Sequence, residues 1–533
     1  MIKKSYHLII AVTIAILTTG FLRLQLFSGL PEIDGGLYTF LSQYFYYRLI
    51  DGEALKNMTL HLYPMLTSWV YGLDVNQYIL LRLIDGLVAI AASIVLFKVI
   101  LKESGSTVFT VILVSTLLII MNDIEIVAYG FKNSIWAAFL PLFSALLIWQ
   151  NSTKEDKYSF YLIGGLVSFG VLLREPFLVF FILGGIAILI GYGWRVLLKY
   201  LIGCALVGFT VLGFMLMLRG WDVLDLVNAY IRRGGSINTI GFKFPLAIIE
   251  ANWFIFVTAT ISSVYLVKSY LNNKKIINMK RYYFWLVVAL LPIVEYYAKL
   301  GLAYHFANCL PGLAGLTALG WRYITIQESK KIQLTLMTLI SLLSLIIILP
   351  TLNKQIVQNS HIFSLSEASR WVKASDSFKS ENMVERSQLI SVAAKVYEFS
   401  KEDSTLAVSG YWTALYPLTE LLPPKNNLIS NAYSYNLSDL RGLYLSLNSD
   451  QSKLGKIIEK YRPTIIVTSP PSASQWSGET DIPKIIEKTN LYEKILFIPE
   501  RYSYEKYLAK EIASGEDPLG WLSAVIYRLK DFK

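Results

Sequence analysis

Residues 332–354, "IQLTLMTLISLLSLIIILPTLNK", decide how this chain is read. No charge falls between Lys331 and Lys354, and about 20 predominantly apolar residues suffice for a helix to cross a hydrocarbon core. After Lys354 the composition changes and no run of this kind recurs. Before it, such runs come in succession, near 7–27, 78–100, 107–122, 130–150, 159–174, 176–192, 200–218, 246–267, 283–298, 303–321 and 332–350. That makes about eleven expected spans in a polytopic α-helical membrane protein. The first run is longer than the apolar core of a secretory signal and lacks a small-x-small cleavage site, so it is read as an anchor.

Composition agrees. Of the 533 residues, 54% are hydrophobic and only 16% charged, and the mean hydropathy of +0.48 lies far above that of a soluble enzyme. The formal net charge of +11 does not point to nucleic acid. The basic residues gather in short segments between the apolar runs: "MIKK", "KVILKES", "NSTKEDK", "GWRVLLK", "KSYLNNKKIINMKR" and "WRYITIQESKK". These are alternate connections and so lie on one side, which the positive-inside rule makes the cytoplasmic side, facing anionic lipid. The N-terminus is then inside, and an odd number of spans puts everything after about residue 350 outside. Cys204 and Cys309 sit in apolar segments and suit neither a CxxC site nor a disulfide framework.

Two domains are expected: a membrane domain over 1–350 and an outer-face α/β domain over 351–533. In the second, "SLSEASRWVKASD" offers a capping box from Ser364 to Glu367. The segments "STLAVSG", "NLISN", "PTIIVTSPP" and "EKILFIPE" read as short buried strands, with "QSKLGKIIEKY" and "PKIIEK" as helices.

On this topology the outer loops carry the chemistry. The first, "SGLPEIDGGLYTFLSQYFYY" (28–47), holds Glu32 and Asp34 beside two glycines. The second, "IIMNDIEIVAYGFKN", holds Asp123 and Glu125, whose alternate spacing suits a shared cation or substrate. Arg174 and Glu175 interrupt two apolar runs, and "EYYAKLGLAYHFANCLPG" holds Glu295, Lys299 and His305. Taken singly, each has an ordinary reading. Interface loops carry carboxylates, Arg174 can cap a helix or snorkel, Lys299 can anchor a helix end, His305 can be a satisfied interface histidine, and Tyr44, Tyr46 and Tyr47 fit an aromatic belt. Taken together, carboxylates and cations from distant loops meet at one face. Cations stabilise a phosphate leaving group and a carboxylate accepts a proton from an attacking hydroxyl, which describes group transfer from a lipid-linked phosphate donor.

The sequence resembles the GT-C superfamily of integral-membrane glycosyltransferases, in particular the bacterial branch of protein mannosyltransferase-like and lipid A aminoarabinose transferase-like enzymes. The likeness rests on the acidic loop "PEIDGGLY", the return "LHLYPMLTSWVYGLDVNQYILLRLIDGL" with its Tyr-Pro step, Gly and Arg-Leu pair, and the acidic "NDIE". It continues in "GLVSFGVLLREP", "AYHFANCLPGLAGLTALGW" and an outer domain after the last span. The resemblance implies a polyprenyl-phosphate-linked sugar donor, a glycan, lipid or protein acceptor, and an integral plasma (bacterial inner) membrane location. It makes Asp34 the catalytic base and Asp123, Glu125 and Glu32 a second acidic site. Asp123 and Glu125 would hold any divalent cation (Mg or Mn), and Arg174, Lys299 and His305 would face the donor phosphate. One departure stands out: many members have Asp-Glu in the first loop, whereas Gly35 follows Asp34 here. An O-antigen-type polymerase or ligase and a lipid-linked glycan flippase are the competing readings. The first favours a large Arg-rich outer segment between spans, and the second an internal repeat with charges along a central cavity.

Overall fold

The computed structural model describes residues 2–23, 39–43, 45–46, 62–73, 77–122, 134–153, 155–156, 158–174, 177–218, 221–224, 227, 253–272, 279–298, 307–360, 386–408, 412, 415–419, 421, 458–459, 462–468, 482–498 and 524–530. The chain is mostly helical. α1 (Ile2–Ala15) runs through a π turn (Ile16–Gly20) into Phe21–Arg23, and α2 (Leu62–Thr67) into a 3-10 turn (Ser68–Gly72). There follow α3 (Gln77–Ser104), α4 (Thr107–Met121), α5 (Ser134–Trp149), α6 (Ser159–Leu173), α7 (Leu178–Tyr192) and α8 (Trp194–Leu218). Next come α9 (Trp253–Asn272), α10 (Met279–Ala298), α11 (Leu310–Gln327) and α12 (Lys330–Ser360). The C-terminal part contributes α13 (Arg386–Phe399), β1 (Leu406–Val408), α14 (Leu415–Thr419), β2 (Ile465–Thr468), α15 (Ile482–Lys488), β3 (Tyr492–Ile498) and β4 (Ala524–Leu529).

Among the described residues, five helices are long and apolar enough to cross a membrane: Tyr6–Arg23, Leu80–Ser104, Trp194–Met217, Trp253–Asn272 and Lys330–Pro350. Shorter apolar helices cover 107–121, 135–149, 159–173, 178–192 and 281–290. Fifteen-residue helices such as α4 and α6 reach about 22 Å at 1.5 Å per residue, less than a full hydrocarbon core. α12 shows what solvent these helices are made for. Leu334, Leu339, Leu342, Leu345, Ile346 and Leu349 all point outward, an apolar surface that suits lipid and not water. The protein is a helical membrane protein with a small sheet.

The chain forms two compact units. The first comprises residues 1–27, 82–213 and 237–363. Turns between its helices follow local rules. Gly105, at φ +69°, links α3 to α4, where Ser106 caps the new helix by accepting the Phe109 N–H. Glycine also permits the closest helix crossing. A Cβ at Gly164 of α6 would stand 2.0 Å from the Tyr200 carbonyl oxygen, and one at Gly203 of α8 would stand 2.0 Å from that of Tyr161. The two backbones touch through these positions, as small residues allow between membrane helices. Gly203→Leu is therefore expected to destabilise the protein by about 3 kcal/mol. A thermal melt in detergent reads this directly, and an unchanged midpoint would contradict the crossing.

The second unit comprises residues 28–81, 214–236 and 364–533. Its sheet has the order β1-β2-β4-β3. β1 and β2 are parallel, as their all-buried "LAV" and "IIVT" favour. β4 runs antiparallel between β2 and β3, with a register shift between Lys494 and Leu496. α13 covers the sheet through buried Val392 and Val396. Burial pushes the Tyr492 phenol up, and its hydroxyl donates to the Pro463 carbonyl at 2.9 Å. The expected strands "STLAVSG", "PTIIVTSPP" and "EKILFIPE" and the helix "PKIIEK" are present as β1, β2, β3 and α15. The capping box at Ser364, "NLISN" and most of "QSKLGKIIEKY" lie outside the described residues.

Residues from the first inter-helix segment belong to this second unit. Phe40 is buried and stacks on Tyr416 of α14 at 4.2 Å, Ser42 and Thr67 share a 3.0 Å hydrogen bond, and the Tyr71 hydroxyl donates to the Thr39 carbonyl. A Cβ at Gly72 would lie 2.8 Å from the Tyr46 hydroxyl. Tyr46, one of the three tyrosines with an aromatic-belt reading, thus packs on protein. Removing the Phe40 ring (Phe40→Ala) is expected to cost this unit about 3–5 kcal/mol. Limited proteolysis of residues 364–533 reports it, and wild-type protection would contradict the packing.

Candidate functional site

The buried charges described next all belong to the first unit. The helical segment Phe21–Arg23, which follows α1 and the π turn, carries Arg23, and this forms an ion pair with Asp85 on α3. Both are buried, at 2% and 0% exposure. Arg82, also buried, precedes Asp85 by one turn and shares its helix face. Burying two guanidinium groups and a carboxylate is expensive unless they are paired and hydrogen-bonded. Their clustering is what makes the end of an apolar helix tolerable here.

The same end carries a second tie. The Thr19 hydroxyl hydrogen-bonds with Ser93 of α3 at 2.8 Å. Asn122, which follows the last residue of α4, donates to Thr19 Oγ1 at 3.3 Å and to the Leu118 carbonyl at 2.7 Å. Asn122 is fully buried, and its Oδ1 has no hydrogen-bond partner among the described residues. In sequence, Asn122 directly precedes Asp123, and Arg23 leads toward Asp34.

Arg174 closes α6. It has extended geometry (φ −152°, ψ 109°), its N–H donates to the Gly170 carbonyl, and its own carbonyl accepts from Phe177 N at 3.0 Å. The side chain is buried at 7% exposure, with its guanidinium carbon 5.9 Å from the Phe177 ring centre. Its Nε has no hydrogen-bond partner among the described residues. The cap reading of Arg174 holds for its backbone, and its side chain is buried in protein.

The other predicted site residues, Glu32, Asp34, Asp123, Glu125, Lys299 and His305, lie outside the described residues, as does Glu175. Among the described residues, no three His, Cys, Asp or Glu side chains group as metal ligands. Sequence reading passed over Arg23 and Asp85 as functional candidates and noted Arg82 only as part of an Arg-Leu pair. The signal was present in "LLRLIDGL", two opposite charges one turn apart inside an apolar run.

Chemically, this end is rich in guanidinium groups. Arginine presents a planar fork of donors that matches phosphate oxygens, keeps its charge when buried, and is less strongly hydrated than lysine. Compared with known proteins, the chain matches no family model and no curated protein.

Proposed function

We propose that this protein is a membrane glycosyltransferase of the GT-C kind, moving a sugar from a polyprenyl-phosphate donor to a cell-envelope acceptor on the outer face of the plasma membrane. The apolar helices form about eleven spans in this reading, with the N-terminus inside and the C-terminal domain outside. Asp34 takes the proton from the acceptor hydroxyl as its oxygen attacks the anomeric carbon. The bond from that carbon to the phosphate oxygen breaks and polyprenyl phosphate leaves, so one displacement inverts the anomeric configuration. Arg174, Lys299 and His305, joined by Arg82, neutralise the departing phosphate. Asp123, Glu125 and Glu32 make up the second acidic site. If a divalent cation takes part, Asp123 and Glu125 hold it, and it adds charge neutralisation at the phosphate.

The observation that carries this reading is the contact between Asn122 and Thr19, 3.3 Å long. It ties the end of α4 to the helical segment of buried Arg23, and with buried Arg82 on α3 the first unit offers guanidinium groups suited to a phosphate. A transporter would instead place its charges near the bilayer midplane in broken helices. The full chain in nanodiscs, given a radiolabelled polyprenyl-phosphate sugar and an envelope glycolipid extract, is expected to release polyprenyl phosphate and label the acceptor. Movement of intact donor across the membrane without cleavage would overturn the proposal in favour of a flippase.

A further inference from the structure

The opposite end of the first unit, where the basic segments meet, holds a different constellation. Glu103, at the end of α3, is fully buried. Its Oε1 accepts from Gln150 Nε2 at 2.6 Å and its Oε2 pairs with Arg281 Nη1 of α10 at 3.3 Å. One carboxylate, both oxygens occupied, is thereby matched to one guanidinium. Two more cations border it. Lys102 donates to Asn151 Oδ1, and Arg322 of α11 donates from Nη1 to the Lys102 carbonyl at 3.4 Å. Neither has a carboxylate within ion-pair distance among the described residues. Four helices, α3, α5, α10 and α11, or the residues just after them, thus meet here, and among the described residues two of the three cations, Lys102 and Arg322, have no ion-pair partner.

Beside this cluster begins an apolar cleft, partly open to its surroundings. Trp149, next to Gln150, and Phe284, one turn from Arg281, contact each other at 4.8 Å and line it, followed by Leu146, Phe180, Leu183 and Val288. Among the described residues, no charged side chain lines it. A site with cations at one end and an uncharged slot leading away has the polarity of a phospholipid: anionic head, apolar chain. Basic pockets between membrane helices bind anionic headgroups in this manner.

We propose that Lys102, Arg281 and Arg322 hold the phosphate of an anionic diacyl phospholipid, one of whose chains occupies the cleft lined by Trp149 and Phe284. This site is separate from the sugar-transfer chemistry and does not depend on it. The bound lipid closes the charge balance of the Glu103 cluster and ties the four helices that meet there.

Native mass spectrometry of the full-length protein, titrated in detergent with dioleoyl phosphatidylglycerol against dioleoyl phosphatidylcholine, tests it. Wild type is expected to retain one phosphatidylglycerol in preference to phosphatidylcholine. Lys102→Gln and Arg322→Gln, which leave the Glu103–Arg281 pair intact, are expected to weaken that preference about fivefold each. Charge-conserving Arg322→Lys keeps most of it, which separates lost charge from lost folding. Equal retention of the two lipids by wild type, or an undiminished preference in the double variant, would overturn the proposal. Soluble glycerol 3-phosphate is expected not to compete at millimolar concentration. Competition as effective as that of the lipid would assign the cations to a free phosphate and overturn the lipid assignment.

Discussion

Asp34→Asn is expected to lower donor-dependent sugar transfer by about 10²–10⁴-fold, the usual effect of losing a general base. The amide fills the same space and accepts a hydrogen bond but does not accept a proton at neutral pH. Binding of the donor should be nearly unchanged, because the phosphate contacts assigned to Arg174, Lys299 and His305 remain. The loss therefore appears in kcat, with the donor KM close to that of wild type. Asp34→Glu, which keeps the carboxylate on a longer arm, should retain more activity than Asp34→Asn. Steady-state rates of polyprenyl phosphate release, measured on nanodisc preparations at matched expression, distinguish these outcomes. A fully active Asp34→Asn protein would move the base to Asp123 or Glu125.

The second large effect is on stability. Asp85→Ala leaves the Arg23 guanidinium buried without its carboxylate, and breaking a buried pair from one side costs about 3–5 kcal/mol. Arg23→Met should cost a similar amount. Replacing both partners at once, Arg23→Met with Asp85→Leu, should recover most of the stability, since a well-packed apolar pair often equals a buried ion pair. Thermal unfolding of the four proteins in detergent forms a double-mutant cycle with an expected coupling of several kcal/mol. Wild-type stability in the Asp85→Ala protein would show that the pair does not hold α1 to α3.

Features written in local sequence were legible before the structure. The apolar runs recur as helices because a span is specified by length and hydropathy alone, and α12 corresponds to the expected run at 332–350. The strands β1, β2 and β3 were visible because each is a short apolar run bounded by turn residues. β4 was not. "AVIYRL" carries Arg528, which pairs with Glu493 across the sheet, and its place between β2 and β3 depends on pairing with residues distant in sequence.

The site divides along the same line. Arg174 stood out because it interrupts an apolar run, and the structure buries it at a helix cap. The Arg23–Asp85 pair did not, because its partners lie on different helices and each resembles an ordinary charge near a span end. Asn122 stood out only as the neighbour of Asp123, yet its side chain donates to Thr19 and ties the end of α4 to the π turn after α1. Such contacts depend on helix packing, which hydropathy does not encode.

Transfer of a sugar to the cell envelope is proposed for this protein. Its most direct test is a mass spectrum of surface glycans and glycolipids from a host strain lacking the protein, complemented with wild type or with Asp34→Asn. One hexose- or pentose-sized increment is expected to disappear on deletion, return with wild type and stay absent with Asp34→Asn. Unchanged glycan masses, with lipid-linked precursor accumulating inside the cell, would contradict it.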